Sequence, residues 1–145
     1  MRWDRCNIKS ISLLGNVMHY QQGHIKGDGE ILLYNANNEL TECGACNAYI
    51  VKDGVVATPI LDNQILPGIT RQLLLSVLAA DGSIPVEERV ITMDEVWDAD
   101  EVWISSSSKE VVPVTHLDGK PVSDGKPGPI WEKAAKLYSA GKYDF

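Results

Sequence analysis

No apolar run in this sequence approaches the ~20 residues that a membrane-spanning helix requires. The opening residues Met1-Arg2-Trp3-Asp4-Arg5-Cys6 carry charges with no apolar core behind them, which is not the pattern of a secretory leader. Basic residues are in deficit, with 13 Lys and Arg against 20 Asp and Glu and a formal charge of −7. That balance argues against a nucleic-acid groove or an anionic membrane surface as the main partner. A cytoplasmic chain is expected, with neither nucleic acid nor membrane as partner.

Cysteine is scarce as well. Cys6, Cys43 and Cys46 cannot all pair within one chain. Cys43-x-x-Cys46 invites a redox or zinc reading, but there is no second such pair, and His19, His24 and His116 are scattered. The pair also lies between two strand-like stretches rather than opening a helix. No metal is expected, and the plainer reading is reduced, partly buried thiols.

What is present is an ordinary globular balance, 44% hydrophobic and 23% charged. At roughly 100–200 residues per domain, 145 residues make one domain, and such a chain can bury about two-thirds of its unfolded surface. Leu13, Leu14, Val17, Met18 and Ile25 mark the apolar face of a first helix over about 12–26, ended by Gly27-Asp28-Gly29. Residues 31–34 read as a strand. Residues 48–52 and 55–58, joined by Asp53-Gly54, are the strongest hairpin signal. Pro67-Gly68 opens the best helix, 69–80, with Leu73, Leu74, Val77 and Leu78 inward. Residues 86–91 read as a strand, and Thr92 caps a short helix carrying Asp94 and Glu95 in its first turn. Strands follow at 102–104, entering a serine run, and at 111–117, turned by Asp118-Gly119. A last helix spans about 128–140 with Gly141 as its stop. Strands outnumber helices and are mostly hairpin-connected. The fold class is therefore α+β with a mixed, barrel-like sheet and flanking helices.

Four local signals carry chemistry. In Leu66-Pro67-Gly68-Ile69-Thr70-Arg71, a glycine stands before a helix start. The first helical N–H groups have no partners inside the helix, and with the helix dipole they make an anion site. A threonine hydroxyl adds a donor, although the same pattern also serves as ordinary capping. Ser105-Ser106-Ser107-Ser108 leaves an apolar strand and can offer hydroxyls to the same anion, or form a solvated turn. Lys9, flanked by Ile8 and Ile11 and near arginines, has the setting of a Schiff-base lysine, though most lysines are surface charges. Glu42 is a carboxylate beside small residues at a strand end, where an exposed acid is the bland alternative.

The order of these motifs says more than any one of them. Arg5-Cys6-Asn7-Ile8-Lys9-Ser10, Thr41-Glu42-Cys43-Gly44-Ala45-Cys46-Asn47, Leu66-Pro67-Gly68-Ile69-Thr70-Arg71 and Ser105-Ser106-Ser107-Ser108-Lys109-Glu110-Val111 follow one another along the chain. Together they resemble the successive signatures of the fold-type IV pyridoxal-phosphate enzymes, of the D-amino-acid aminotransferase kind with branched-chain relatives. Val112-Pro113-Val114 and Asp124-Gly125-Lys126-Pro127-Gly128-Pro129 continue the likeness, which covers almost the whole sequence.

The resemblance implies pyridoxal 5′-phosphate as cofactor and transfer of an amino group from an amino acid to a 2-oxo acid. It puts Lys9 at the position that holds the cofactor covalently and moves the substrate's α-proton. Glu42 falls at the position that pairs with the pyridine nitrogen, and Leu66 at the position packed on the ring. Ile69, Thr70, Ser106 and Ser107 fall at phosphate contacts. It also implies a homodimer, and a smaller N-terminal domain that supplies an arginine to the phosphate and most of the substrate pocket. On this reading residues 1–145 are the large cofactor-binding domain alone, poorly active in isolation. Aminodeoxychorismate lyase of the same fold and a catalytically silent fragment are the alternatives. The family's hydroxyl-rich run after the glutamate is here Cys43-Gly44-Ala45-Cys46-Asn47, which removes two or three hydroxyls near the cofactor.

Overall fold

A computed structural model describes residues 4–11 and 13–144. Asp53 and Gly54 both take positive φ, 49° and 79°, the pairing that a two-residue primed turn demands. They join strand β3 (Asn47–Lys52) to β4 (Val55–Thr58) as an antiparallel hairpin. Around it a five-stranded sheet builds in the order β5-β4-β3-β6-β7, with β5 (Val86–Glu88), β6 (Glu101–Ser106) and β7 (Glu110–Val114). Only the β4–β5 pair is parallel.

The alternation of side chains on β3 and β6 makes two cores rather than one. Tyr49, Val51, Val56 and Trp103 point to one face, where α2 (Ile69–Asp81) and α4 (Pro129–Gly141) cover them with Leu74, Leu78, Ala134 and Tyr138. Ala48, Ile50, Ala57, Val102 and Ile104 point to the other face. There they meet Leu40, Cys43 and Cys46, the short helix α3 (Met93–Trp97) through Met93 and Val96, and Val122. A separate antiparallel pair, β1 (Leu32–Tyr34) with β2 (Leu40–Cys43), belongs to this second side. A small hairpin of β8 (His116–Leu117) and β9 (Lys120–Pro121) completes the strands.

The mixed α+β architecture is as expected, but the sheet is open rather than barrel-like. β5 is three residues long and β7 carries Pro113, which has no N–H to extend a ladder. Among the described residues no strand joins these two edges. The strand expected at 86–91 stops at Glu88. Beyond it Arg89 N–H still reaches Thr58 C=O, but the carbonyl of Ile91 turns to accept from Leu40 N–H, so the chain crosses toward β2. The strand expected at 111–117 divides at Thr115, whose carbonyl accepts from Val122 N–H. Gly141 ends α4 from inside, because Lys142 stays in right-handed backbone and donates to Tyr138 C=O. Thr92 caps α3 as expected, in a reciprocal box with Glu95.

The first helix, α1 (Leu14–Lys26), is turned the other way from its hydropathy. Leu14, Val17, Met18 and Ile25 are exposed, while its buried residues are Asn16 and Gly23. The inward face is the one that can come close and donate: Gly23 lies against Ile31, and Asn16 reaches the turn after β2. Ser12, at the expected start of this helix, lies outside the described residues.

Candidate functional site

The site forms where β2 ends, β3 and α2 begin, and β6 runs out into its serine turn. Its centre is the backbone of Leu66, held on both sides of the residue. Leu66 N–H donates to Glu42 Oε2 at 2.8 Å, and Leu66 C=O accepts from Asn47 Nδ2 at 2.8 Å. Glu42 is buried at 4% exposure, and its other oxygen accepts from Asn16 Nδ2 at 3.3 Å. A carboxylate so far out of water must be met by donors. Here α1 and the loop before α2 supply them.

The approach to α2 is close. A Cβ on Gly68 would overlap Asn47 Oδ1, so the loop can lie on Asn47 only because the residue is glycine. Gly68 is extended and gives α2 no side-chain cap. Among the described residues no side chain accepts from the N–H groups of Ile69, Thr70 or Arg71. Thr70 is buried while Ile69 is exposed. Arg71 is buried under the same turn, donating through Nη2 to Pro59 C=O at 3.0 Å and to Glu88 Oε2 at 2.7 Å. The charge of Arg71 is met by Glu88, so what this helix end offers an anion is its dipole and its first N–H groups, on which no side-chain acceptor stands among the described residues.

The serine run enters through the β3–β6 ladder, which pairs Asn47 with Ser105. Ser105 is buried and shares a 2.7 Å hydrogen bond with Tyr49 Oη. Ser106 Oγ closes the turn by accepting from Lys109 N–H at 3.1 Å, and Ser107 stands exposed at its tip. Desolvation raises the buried Tyr49 hydroxyl's pKa, so it serves here as a neutral hydrogen-bonding group.

Lys9 is exposed, on the segment before α1. That segment is docked beside the loop leading into Leu66: Cys6 N–H donates to Asn63 C=O and Asn63 Nδ2 to Asp4 C=O, both at 2.8 Å. Among the described residues no hydrogen bond or ion pair joins Lys9 to Glu42. The structure thus brings Glu42, Leu66, Ile69 and Thr70 together and sets Ser106 and Ser107 at the end of the neighbouring strand, while Lys9 is exposed and makes no hydrogen bond or ion pair with any of them among the described residues.

Asn47 and Asn16 escaped the sequence reading, since each acts on residues distant in the chain. The one local hint for Asn47 was an asparagine at the start of a strand of apolar residues. The thiols are accounted for differently. Cys6, Cys43 and Cys46 are buried and outside any disulfide. Burial pushes Cys43 well above the ordinary thiol range and Cys46 up to about 12, so both stay protonated near neutrality.

With this geometry in place, the comparisons with known proteins are informative. A family model described as amino-transferase class IV matches residues 1–117. The chain belongs to this family. Among curated class IV relatives, D-alanine aminotransferase of Listeria monocytogenes serotype 4b (strain F2365) is 47% identical over 138 residues, covering 95% of this chain and 47% of the relative. D-alanine aminotransferase of Staphylococcus aureus (strain COL) is 45% identical over 130 residues, covering 90% of this chain and 45% of the relative. The chain spans about half the length of the curated relatives it matches. Among solved structures, the branched-chain amino acid aminotransferase of Escherichia coli superposes with a TM-score of 0.85 at 28% identity, covering 95% of this chain and 49% of that one. An aminotransferase from Brucella abortus bound to the cofactor PLP gives 0.85 at 25% identity, over 95% of this chain and 48% of that one. No helix among the described residues is long and apolar enough to cross a membrane.

Proposed function

We propose that these 145 residues act as the cofactor-binding half of a pyridoxal 5′-phosphate-dependent aminotransferase. The whole protein moves an amino group from a D-alanine-like amino acid to a 2-oxo acid, as a cytoplasmic homodimer. One observation carries the reading: a buried carboxylate holds the backbone N–H of Leu66, three residues before a helix N-terminus that has no side-chain cap. A ring nitrogen that bears a proton and a phosphate are the two groups that such a pair suits. The D-alanine aminotransferases among the relatives support the substrate class, and the three thiols outside any disulfide suit a reducing compartment.

When bound, pyridoxal phosphate supplies an electron-withdrawing ring that loosens the substrate's α-proton. This chain's residues do the rest. Ile69 and Thr70 bind the phosphate through backbone N–H groups and the Thr70 hydroxyl, with Ser106 and Ser107 adding hydroxyls from the turn. Glu42 keeps a proton on the ring nitrogen, and its bonds to Asn16 and Leu66 fix the carboxylate's direction. Leu66, with its backbone held on both sides, would pack against the ring. Lys9 Nζ would be the amine that holds the cofactor and the group that carries the proton at the substrate Cα.

The test is the absorbance spectrum of the purified chain with pyridoxal phosphate, before and after borohydride, alongside Lys9→Ala. A band that reduction fixes onto Lys9 and that Lys9→Ala abolishes is expected. A retained adduct in Lys9→Ala would assign the attachment to another lysine, and no band would remove the cofactor assignment from this chain. Amine transfer from D-alanine to 2-oxoglutarate should be slow for the isolated chain. Robust turnover would show that the catalytic machinery is complete within it.

A further inference from the structure

We propose that Glu30 is a positioning residue of this site: through Cys46 and Lys109 it fixes the arm that carries Glu42 against the serine turn. Its functional sense rests on the cofactor reading above. The β3–β6 ladder ends at the Asn47–Ser105 pair. Beyond it the 43–46 turn, which leads back to Glu42, and the 107–109 turn, which carries Ser107, have no strand pairing with each other.

Glu30 bridges that gap. Its side chain is 7% exposed. One oxygen, Oε1, accepts from Ile31 N–H at 3.0 Å. The other, Oε2, accepts from Cys46 Sγ at 3.1 Å and faces Lys109 Nζ at 3.6 Å. Lys109 Nζ also donates to Gly29 C=O at 3.1 Å, while Lys109 N–H closes the serine turn on Ser106 Oγ. On the other side, a Cβ on Gly44 would stand 2.9 Å from Glu30 Oε1 and 3.1 Å from Ile31, so the turn lies close on the carboxylate and a larger residue would push it aside. Gly44 N–H is bonded to Ile31 C=O at 3.0 Å, and Gly44 C=O accepts from Asn16, the residue that also donates to Glu42.

An ion pair between two solvated side chains would be too weak to set this spacing. Here the acid is nearly out of water, where screening is poor and an unpaired carboxylate is costly. Both turns therefore have one preferred arrangement, and a single carboxylate sets it. Its part in the reaction would be indirect: it fixes how far apart the turns stand that would hold the phosphate and the ring.

The experiment reads amide hydrogen exchange in the cofactor-free chain, then pyridoxal phosphate binding. Glu30→Gln should speed exchange in the 43–46 and 107–109 turns together, by about tenfold. Lys109→Met, at a partly exposed side chain, should do the same to a smaller degree and serves if Glu30→Gln does not fold. Cys46→Ser keeps a donor to Glu30 and should behave as wild type, whereas Cys46→Ala should not. With cofactor, Glu30→Gln should weaken binding by about tenfold and move the ring's 15N resonance toward the unprotonated position. If exchange rises in one turn alone, or the 15N position is unchanged in variants that bind, Glu30 is a structural contact and the proposal fails. If the wild-type chain binds no pyridoxal phosphate, the cofactor reading fails instead, and the exchange data still decide whether Glu30 couples the turns.

Discussion

Helices α2 and α4 begin alike and end up with opposite contents at their N-termini. Each has 13 residues, an extended glycine as N-cap and a proline beside it. In each, a Cβ on the glycine would overlap a side chain from a neighbouring strand, Asn47 at Gly68 and Glu101 at Gly128. At α4 that side chain is a buried carboxylate. Glu101 accepts from Ile130 N–H at 2.9 Å and Trp131 N–H at 2.8 Å, and from Trp103 Nε1 at 2.9 Å. At α2 it is a neutral amide that turns its NH2 to Leu66 C=O, and among the described residues no side chain takes the helical N–H groups. At α4 the protein supplies its own anion to the helix end, and at α2 no side chain of the described residues does.

The sharpest break of this contrast is Glu101→Ala, which leaves the α4 donors and Trp103 Nε1 without their acceptor. Its cost should be about 3 kcal/mol of unfolding free energy, read by urea denaturation, with pyridoxal phosphate affinity unchanged in the folded fraction. Undiminished stability would mean that the carboxylate is not the cap. Next come the two glycines. Gly68→Ala and Gly128→Ala should each cost about 1–3 kcal/mol by overpacking, but Gly68→Ala alone should also abolish cofactor binding. Equal effects on binding would erase the distinction between the two helix ends. Thr70→Val keeps the shape and removes one hydroxyl. Titration should show pyridoxal phosphate bound about tenfold more weakly, a loss of roughly 1.4 kcal/mol, with no change for pyridoxal, which lacks the phosphate. The smallest effect is that of inorganic phosphate. Near its dissociation constant it should raise the melting temperature by about 1–2 °C. Thr70→Val should blunt that shift and Glu101→Gln should not, and a shift insensitive to Thr70 would place the ion elsewhere.

How much of this was legible depended on how local the physics is. Asp53-Gly54, Thr92 with Glu95, and Pro67-Gly68 announce a hairpin, a capping box and a helix start, because each is decided within a few residues. The order of Lys9, Glu42, Leu66 through Thr70 and Ser106-Ser107 pointed to one site, and direct bonds do bring Glu42 to Leu66 at the head of α2. What stayed hidden is what depends on distant partners. Hydropathy placed the apolar side of α1 inward, yet Asn16 faces in because Glu42 and Gly44 need its amide. Glu30, Asn47 and Glu101 look like ordinary polar residues until their distant partners, Cys46 and Lys109, Leu66, and Trp131, are known. The open sheet was likewise not readable, since closure turns on whether two particular edges meet.

The two-sided burial of β3 and β6 has a consequence for accuracy. Because both faces are apolar, hydropathy alone would not oppose a one-residue slip between these strands. Size does. Tyr49 and Trp103 are direct cross-strand partners with ring centroids 6.1 Å apart, on the side filled by α2 and α4. The opposite side is lined in part by small side chains, Ala48, Ala57, Ala99, Cys43 and Cys46, and holds no aromatic ring among its buried residues. A slip would also carry Asn47 about 3.4 Å along the strand, away from the Leu66 carbonyl. The aromatic pair thus acts as an alignment pin. Buried in the middle of the sheet, it guards the placement of an asparagine and a serine at the strand ends, and the site inherits its precision from it.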